Sequence, residues 1–326
     1  MGMRRVYTDM SDTDTDTDQG LVASPITDRD TWLAARRADV TSTEVAALFG
    51  LSPYTTEFEL WHKKSANSAD DFTASERMRW GTRLESAIAY GVAEDRGWAV
   101  APLAVYMRRP AERIGSSFDY EVVSGPEAGA ILEIKNVDGR FGGQWAEGEA
   151  PAHIEMQVQH QMLVAGRKKC WIGALVGGNT QVVLERAADP DVAALISSRV
   201  EEFWAQVAAG TPPRPDFGRD ADYIVRRLRS YADQAITVEA SPRVEALLES
   251  YLELGEQAAA VQGLRDAAKA AILMEIGDAA RVTASFGCLS AAMTRATPAT
   301  LVTPEMVGTS IGGRSGYRNF RFTKRR

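Results

Sequence analysis

The chain has 326 residues, 45% of them apolar and 25% charged, with a formal net charge of −7. That is the length of one enzyme core with appendages rather than of several large domains, and no run reaches the ~18 apolar residues needed to cross a bilayer. The first ten residues lack an apolar core of signal-peptide length, so a cytoplasmic protein without a membrane partner is expected.

Residues 1–23 are polar and repetitive, with Asp12, Asp14, Asp16 and Asp18 in a Thr-Asp alternation; a disordered acidic tail is expected, with ordered chain from about Ile26. Asp28 to Phe49 reads as two helices broken near Asp39, the second capped by Thr41-Ser42-Thr43-Glu44. Glu57–Lys64 predicts a short helix with Phe58, Leu60 and Trp61 inward. Ser75–Arg96 predicts a longer one with a buried stripe of Met78, Leu84, Ile88 and Val92. Three strands follow, Trp98–Met107, Ile114–Val123 and Ala130–Asn136, then a helix over Pro151–Val164. Strands Cys170–Val176 and Gln181–Glu185 pair across Gly177-Gly178-Asn179, and a helix covers Pro190–Ala209. Thr211–Pro215 is a rigid extended segment, taken as the end of a core over residues 24–216. Residues 217–326 form a mainly helical extension, with a long helix over Ser241–Ile276 as the hairpin partner of Tyr223–Tyr231, and a basic strand at the C-terminus.

Chemistry concentrates in two of the strands. Asp119 and Glu133 lie fourteen residues apart with a Gly125-Pro126 turn between them. Adjacent strands would bring both carboxylates to one end of a sheet. Because alternate strand residues share a face, Lys135 points the same way as Glu133. Two carboxylates offer hard oxygen ligands to Mg²⁺, which lowers the pKa of a bound water and stabilises charge on a phosphate. A lysine beside that water favours its deprotonated form. Glu-x-Lys alone fits an ordinary strand edge better, and Asp119 one strand earlier brings the two readings level. Glu85 on the preceding helix, and Gln157 and Gln161 on one face of the following helix, add polar groups around it. Hydroxyls and N–H groups at Thr41–Glu44 would form a phosphate cradle if they open a helix. Cys170 and Cys288 lie in no metal or disulfide spacing, and both are expected as small buried apolar residues. His160 is assigned a surface or packing role, since one histidine makes no zinc site.

These pieces, in order, resemble a known family. Trp32–Arg36, Thr41–Glu44, Leu51–Tyr54, Glu59–Trp61, Trp80–Glu85, Ser117–Asp119, Leu132–Lys135 and Gln157–Met162 are similar to the lambda-exonuclease and YqaJ-like phage recombination exonucleases of the PD-(D/E)xK superfamily. The resemblance implies an α/β, restriction-endonuclease-like core with a central mixed sheet flanked by helices. It implies that Asp119, Glu133 and the Ile134 carbonyl bind a first metal, with Glu85 serving a second or its water shell. It further implies that Lys135 activates the water, that Gln157 positions it, and that Arg36, Thr43 and Ser117 grip DNA phosphates. Implied with these are two Mg²⁺ ions replaceable by Mn²⁺, 5′ to 3′ resection of double-stranded DNA ends for recombination, a single-strand annealing partner and a ring-shaped homo-oligomer. Phe118 stands where the family has proline, Tyr120 where it has glycine, Thr43 where it has serine, and Gln161 where related nucleases often carry tyrosine. An endonuclease of the same superfamily and a non-catalytic DNA-binding adaptor are the alternatives.

Overall fold

The computed structural model describes residues 20–66, 75–225, 236–295 and 321–324. The chain divides into two compact units, Met1–Ala232 and Asp233–Arg326. The acidic tail, most of the Tyr223–Tyr231 hairpin partner and most of the basic C-terminus lie outside the described residues.

In the first unit, strand β1 (Val22–Pro25) precedes helix α1 (Arg29–Ala38), so regular structure starts before Ile26. Asp28 caps α1 by accepting a hydrogen bond from the Thr31 amide at 2.8 Å. The chain turns at Asp39 into a two-residue strand, β2 (Val40–Thr41), and a 3-10 turn over Val45–Phe49 replaces the expected second helix. That turn has no side-chain cap. Its four buried apolar residues hold it to the core instead, and Gly50 ends it at φ 67°. Helix α2 (Glu57–Ala66) buries Phe58, Leu60 and Trp61. Helix α3 (Glu76–Arg96) buries Ile88 and Val92 and part of Leu84, but Met78, one turn in, is 46% exposed. The helix is 21 residues long, nearly six turns, and outruns the sheet it covers, so the apolar stripe ends before the helix does.

The largest departure concerns the next two strands. Each is two strands, divided between two sheets. Val100–Pro102 (β3) and Val105–Arg109 (β4) are separated at Leu103-Ala104; Ile114–Ser117 (β5) and Tyr120–Val122 (β6) are separated at Phe118-Asp119. Strands β4 and β5 join β1 and β2 in a four-stranded sheet of order β1-β4-β5-β2. Strands β3 and β6 join β7 (Ile131–Val137), β8 (Lys169–Val176) and β9 (Thr180–Ala187) in a five-stranded sheet of order β3-β6-β7-β8-β9. Trp98–Met107 is one continuous apolar run, and the alternate residues Phe118, Tyr120 and Val122 carry the second pattern through its break, which is why the pattern alone reads both as continuous. A glycine at 115 makes room where β5 pairs with β4: a Cβ there would overlap the Tyr106 hydroxyl, which donates to Asp39.

The five-stranded sheet is mixed. Strands β7 and β8 are parallel, while β3–β6, β6–β7 and β8–β9 pair antiparallel. The parallel step needs a crossover, and helix α4 (Ala152–Ala165) supplies it. On one face α3 packs Ile88, Ala89 and Val92 against Leu132, Ile134 and Trp171. The other face packs against α4 through Ile131, Val137, Val158, Met162 and Ile172, and helix α5 (Pro190–Ala208) adds Phe203 to the same core from behind α4, with α2 beside it. This is the expected mixed sheet flanked by helices. Alternation along β7 thus sends Leu132 and Ile134 towards α3, and Ile131 and Val137, with Glu133 and Lys135 between them, towards α4. Helix α6 (Phe217–Tyr223) follows the proline segment and belongs to this unit; its buried Asp220 accepts a 2.5 Å bond from Thr56.

The second unit holds helix α7 (Pro242–Ile276), capped by Ser241, and a sheet of order β10-β11-β12 built from Arg281–Ala284, Gly287–Ser290 and Arg321–Lys324. Among the described residues none on α7 is buried. Cys170 is buried and Cys288 half-buried; both are free.

Candidate active site

Strands β6 and β7 pair Tyr120 with Leu132. One step further along the same register, Asp119 stands opposite Glu133. The chain leaves the sheet there, so Asp119 is not tied into a ladder. Its Oδ2 accepts the Ile134 amide hydrogen at 2.8 Å. Lys135 Nζ closes on Glu133 Oε1 as an ion pair. Helix α4 completes the enclosure. Gln157 Nε2 donates to Glu133 Oε1 at 2.6 Å, and Gln161 Nε2 donates to Glu133 Oε2 at 2.7 Å. The two glutamines, four residues apart, are buried together with Glu133. They form a clamp on one carboxylate, not a solvated stripe.

Burial, and next the charge of Glu133, push the Asp119 carboxyl well above its ordinary range. Burial raises Glu85 on α3 in the same direction, again with repulsion from Glu133 and a smaller relief from Lys135. Burial disfavours the charge on Lys135, but Glu133 and Asp119 outweigh it and its pKa is raised. The lysine is therefore a fixed cation at neutral pH. Glu85 interacts with this cluster electrostatically and makes no hydrogen bond to it. Among the described residues no three His, Cys, Asp or Glu side chains stand close enough to hold a metal by themselves.

The donor set nevertheless fits a hard divalent cation. Three acidic side chains face one lysine, and the raised pKa of Asp119 and Glu85 reflects carboxyls crowded with too little positive charge, which a divalent cation would supply. Glu133 Oε1 takes two donors and Oε2 only one, so a lone pair on Oε2 stays available, as do those on Asp119 Oδ1. Gln161 Oε1 is buried without a partner, an orphan that metal-bound water would satisfy. The Ile134 amide is the atom seen in use, holding Asp119; its side chain is buried against α3.

The three residues expected to hold phosphates also come together, through a fourth, Trp32, which opens the Trp32–Arg36 motif and had no role assigned to it. Arg36 Nη2 donates to Thr43 Oγ1 at 3.1 Å and to Thr41 Oγ1 at 3.4 Å, while its guanidinium lies 4.7 Å from the Trp32 ring centroid. Trp32 Nε1 donates to Ser117 Oγ at 2.7 Å. The Ser117 carbonyl in turn accepts Gln161 Nε2 at 3.4 Å, which joins this cluster to the carboxylates. Two of the amides expected to form a cradle at Thr41–Glu44 are engaged within the segment, and the Glu44 amide donates to the Thr41 carbonyl at 2.9 Å. Glu44 Oε2 accepts the Thr41 amide at 2.9 Å and pairs with Lys64 at 2.9 Å. Burial works against that carboxylate, but Lys64 and Arg36 outweigh it and lower its pKa. His160 is fully buried on the core side of α4, a packing residue whose pKa burial lowers to about 4.

Fold and cluster together define a mixed α/β domain with an acid–acid–lysine site under a glutamine-bearing helix. Residues 31–168 match the model of the YqaJ-like viral recombinase domain, and every residue of both clusters lies within the matched segment. A relative, the uncharacterised protein YqaJ of Bacillus subtilis (strain 168), is 26% identical over 254 residues, covering 77% of this chain and 79% of its own. Similar solved structures include an alkaline exonuclease from Laribacter hongkongensis at 20% identity, covering 63% of this chain and 100% of its own, with a TM-score of 0.47. A phage-related exonuclease from Haemophilus somnus is similar at 13% identity, covering 53% and 96%, with a TM-score of 0.41.

Proposed function

We propose that this protein is a metal-dependent DNA exonuclease that resects double-stranded ends from 5′ to 3′ for phage-type homologous recombination. The observation that carries the reading is the pair of Asp119 and the clamped Glu133 with Lys135 beside it, inside the segment that matches a YqaJ-like viral recombinase domain. Asp119, Glu133 and the Ile134 carbonyl would hold a Mg²⁺ ion, with Mn²⁺ as a substitute and Glu85 serving the water shell of a second ion. Bound there, the metal supplies Lewis acidity and a water of lowered pKa. Lys135 stays protonated, neutralises charge that builds on the phosphate and favours hydroxide over water. Gln157 and Gln161 hold Glu133 in one rotamer, so the ligand does not reorganise during the reaction. Arg36, Thr43 and Ser117 grip the terminal phosphate, with Trp32 fixing both Arg36 and Ser117. A single-strand annealing protein as partner, a ring of subunits and a cytoplasmic setting belong to the same reading.

The test is digestion of linear duplex labelled at either end, with and without a 5′ phosphate, beside a closed circle. The expected result is Mg²⁺-dependent loss of the 5′ label from the linear form only, abolished in Glu133→Ala with folding retained. Cutting of the circle would make the protein an endonuclease of the same superfamily. No metal-dependent loss of linear duplex would leave a non-catalytic adaptor.

A further inference from the structure

An open cavity of about 640 Å³ begins where the acid–lysine cluster ends. Lys135 forms part of its lining, as do Asn136 and Val137, the next residues along β7. Its volume is that of a site for a small organic ligand, and its walls are aromatic. Tyr54, from the loop before α2, is 80% exposed and Phe141, after β7, is 42% exposed, so two rings stand uncovered at one opening. Tyr54 is braced edge-on by His153 at the start of α4, with ring centroids 5.8 Å apart and planes at 85°. At 80% exposure most of the Tyr54 ring stays uncovered. Burial, and next Lys135, keep His153 in its neutral form. Two cations lean on Phe141: the guanidinium carbons of Arg77 and Arg140 lie 5.8 Å and 5.9 Å from its centroid. Aromatic faces beside fixed positive charge are what a nucleobase with its phosphates requires, and stacking serves every base because each has a π-face.

We propose that this cavity is a nucleoside subsite, in which the base of the nucleotide whose phosphate lies at Asp119, Glu133 and Lys135 stacks on Tyr54 and Phe141. The inference rests on the exonuclease reading for the position of that phosphate. It gives the site a means of holding a released or attacked nucleotide by its base as well as by its charge.

Calorimetric titration of the full-length protein in Mg²⁺ with dGMP, and with 2-deoxyribose 5-phosphate, which lacks only the base, tests it. The wild-type protein should bind dGMP about tenfold tighter than the sugar phosphate, a difference within the range of one stacked base. Tyr54→Ala and Phe141→Ala should each shrink that ratio by about fivefold, on the same scale, while affinity for the sugar phosphate holds. Tyr54→Phe should retain the ratio. Tyr54 is exposed, so its truncation spares the fold. Equal binding of the two ligands by wild-type protein, or a ratio untouched in both alanine variants, overturns the subsite. If the ratio behaves as expected but linear duplex is not shortened, the exonuclease reading fails and the subsite stands. If duplex is shortened and the ratio does not respond, the subsite alone fails.

Discussion

Gln161→Met is the most informative single change. Methionine keeps the length and unbranched shape of glutamine in a fully buried position, but it cannot donate to Glu133 Oε2. The lost bond is short, buried and made to a carboxylate, so it is worth about 1.5–3 kcal/mol. If Gln161 acts by holding Glu133 in its metal-binding rotamer, most of that difference appears as metal affinity. At 1.4 kcal/mol per decade it corresponds to roughly 10–100-fold, the range usual for losing a hydrogen bond to a metal ligand. The assay is Mn²⁺ titration of the DNA-free protein by calorimetry, set beside the Mg²⁺ dependence of linear-duplex digestion. Both midpoints should move to higher metal by the same factor, and saturating metal should restore most of the rate. A Mn²⁺ affinity within about twofold of wild type, in a variant with unchanged circular dichroism, would refute the positioning argument.

Lys135→Met should lower kcat by about 10²–10⁴-fold with little change in KM, because the lost cation acts on developing charge; single-turnover digestion checks this. Arg36→Gln should weaken binding to 5′-phosphorylated ends and reduce the slope of log affinity against log salt by about 1, read from binding at several salt concentrations in Ca²⁺. His160 makes the folded state sensitive to acid. Its pKa is lowered to about 4 when folded against 6.5 as the reference. The unfolded chain therefore binds the proton first, and stability is full above 6.5 and declines as pH falls towards 4, at up to about 1.4 kcal/mol per pH unit. Denaturant unfolding between pH 7 and pH 4 should show that decline, and His160→Leu should flatten it.

Much of this protein is written locally. Phe58, Leu60 and Trp61 recur at helical spacing and are buried in α2. The Gly177-Gly178-Asn179 turn joins β8 to β9 as turn chemistry requires. The alternation Leu132-Glu133-Ile134-Lys135 already assigns Glu133 and Lys135 to one face, because strand periodicity is a property of the backbone. Asp119 and Glu133 are brought opposite by a short hairpin whose register follows from its turn. What no local pattern contains is the partition of two strand-like runs between two sheets. That partition is settled by which neighbours each half finds: β5 reaches Val40 from beyond α1, whereas β6 reaches β7. Its consequence is chemical, since the break at Phe118-Asp119 frees Asp119 to hold the Ile134 amide. The same holds for burial of the glutamines. Gln157 and Gln161 lie on one helical face in any helix, solvated or not. Only the parallel β7–β8 step, which lays α4 across the sheet, turns that face onto Glu133. Trp32 joins Arg36 to Ser117 across 85 residues of chain. Residue types and periods along the chain therefore determine which side chains can do chemistry. Long-range pairing, whose energy comes from burying surfaces distant in sequence, decides which of them meet.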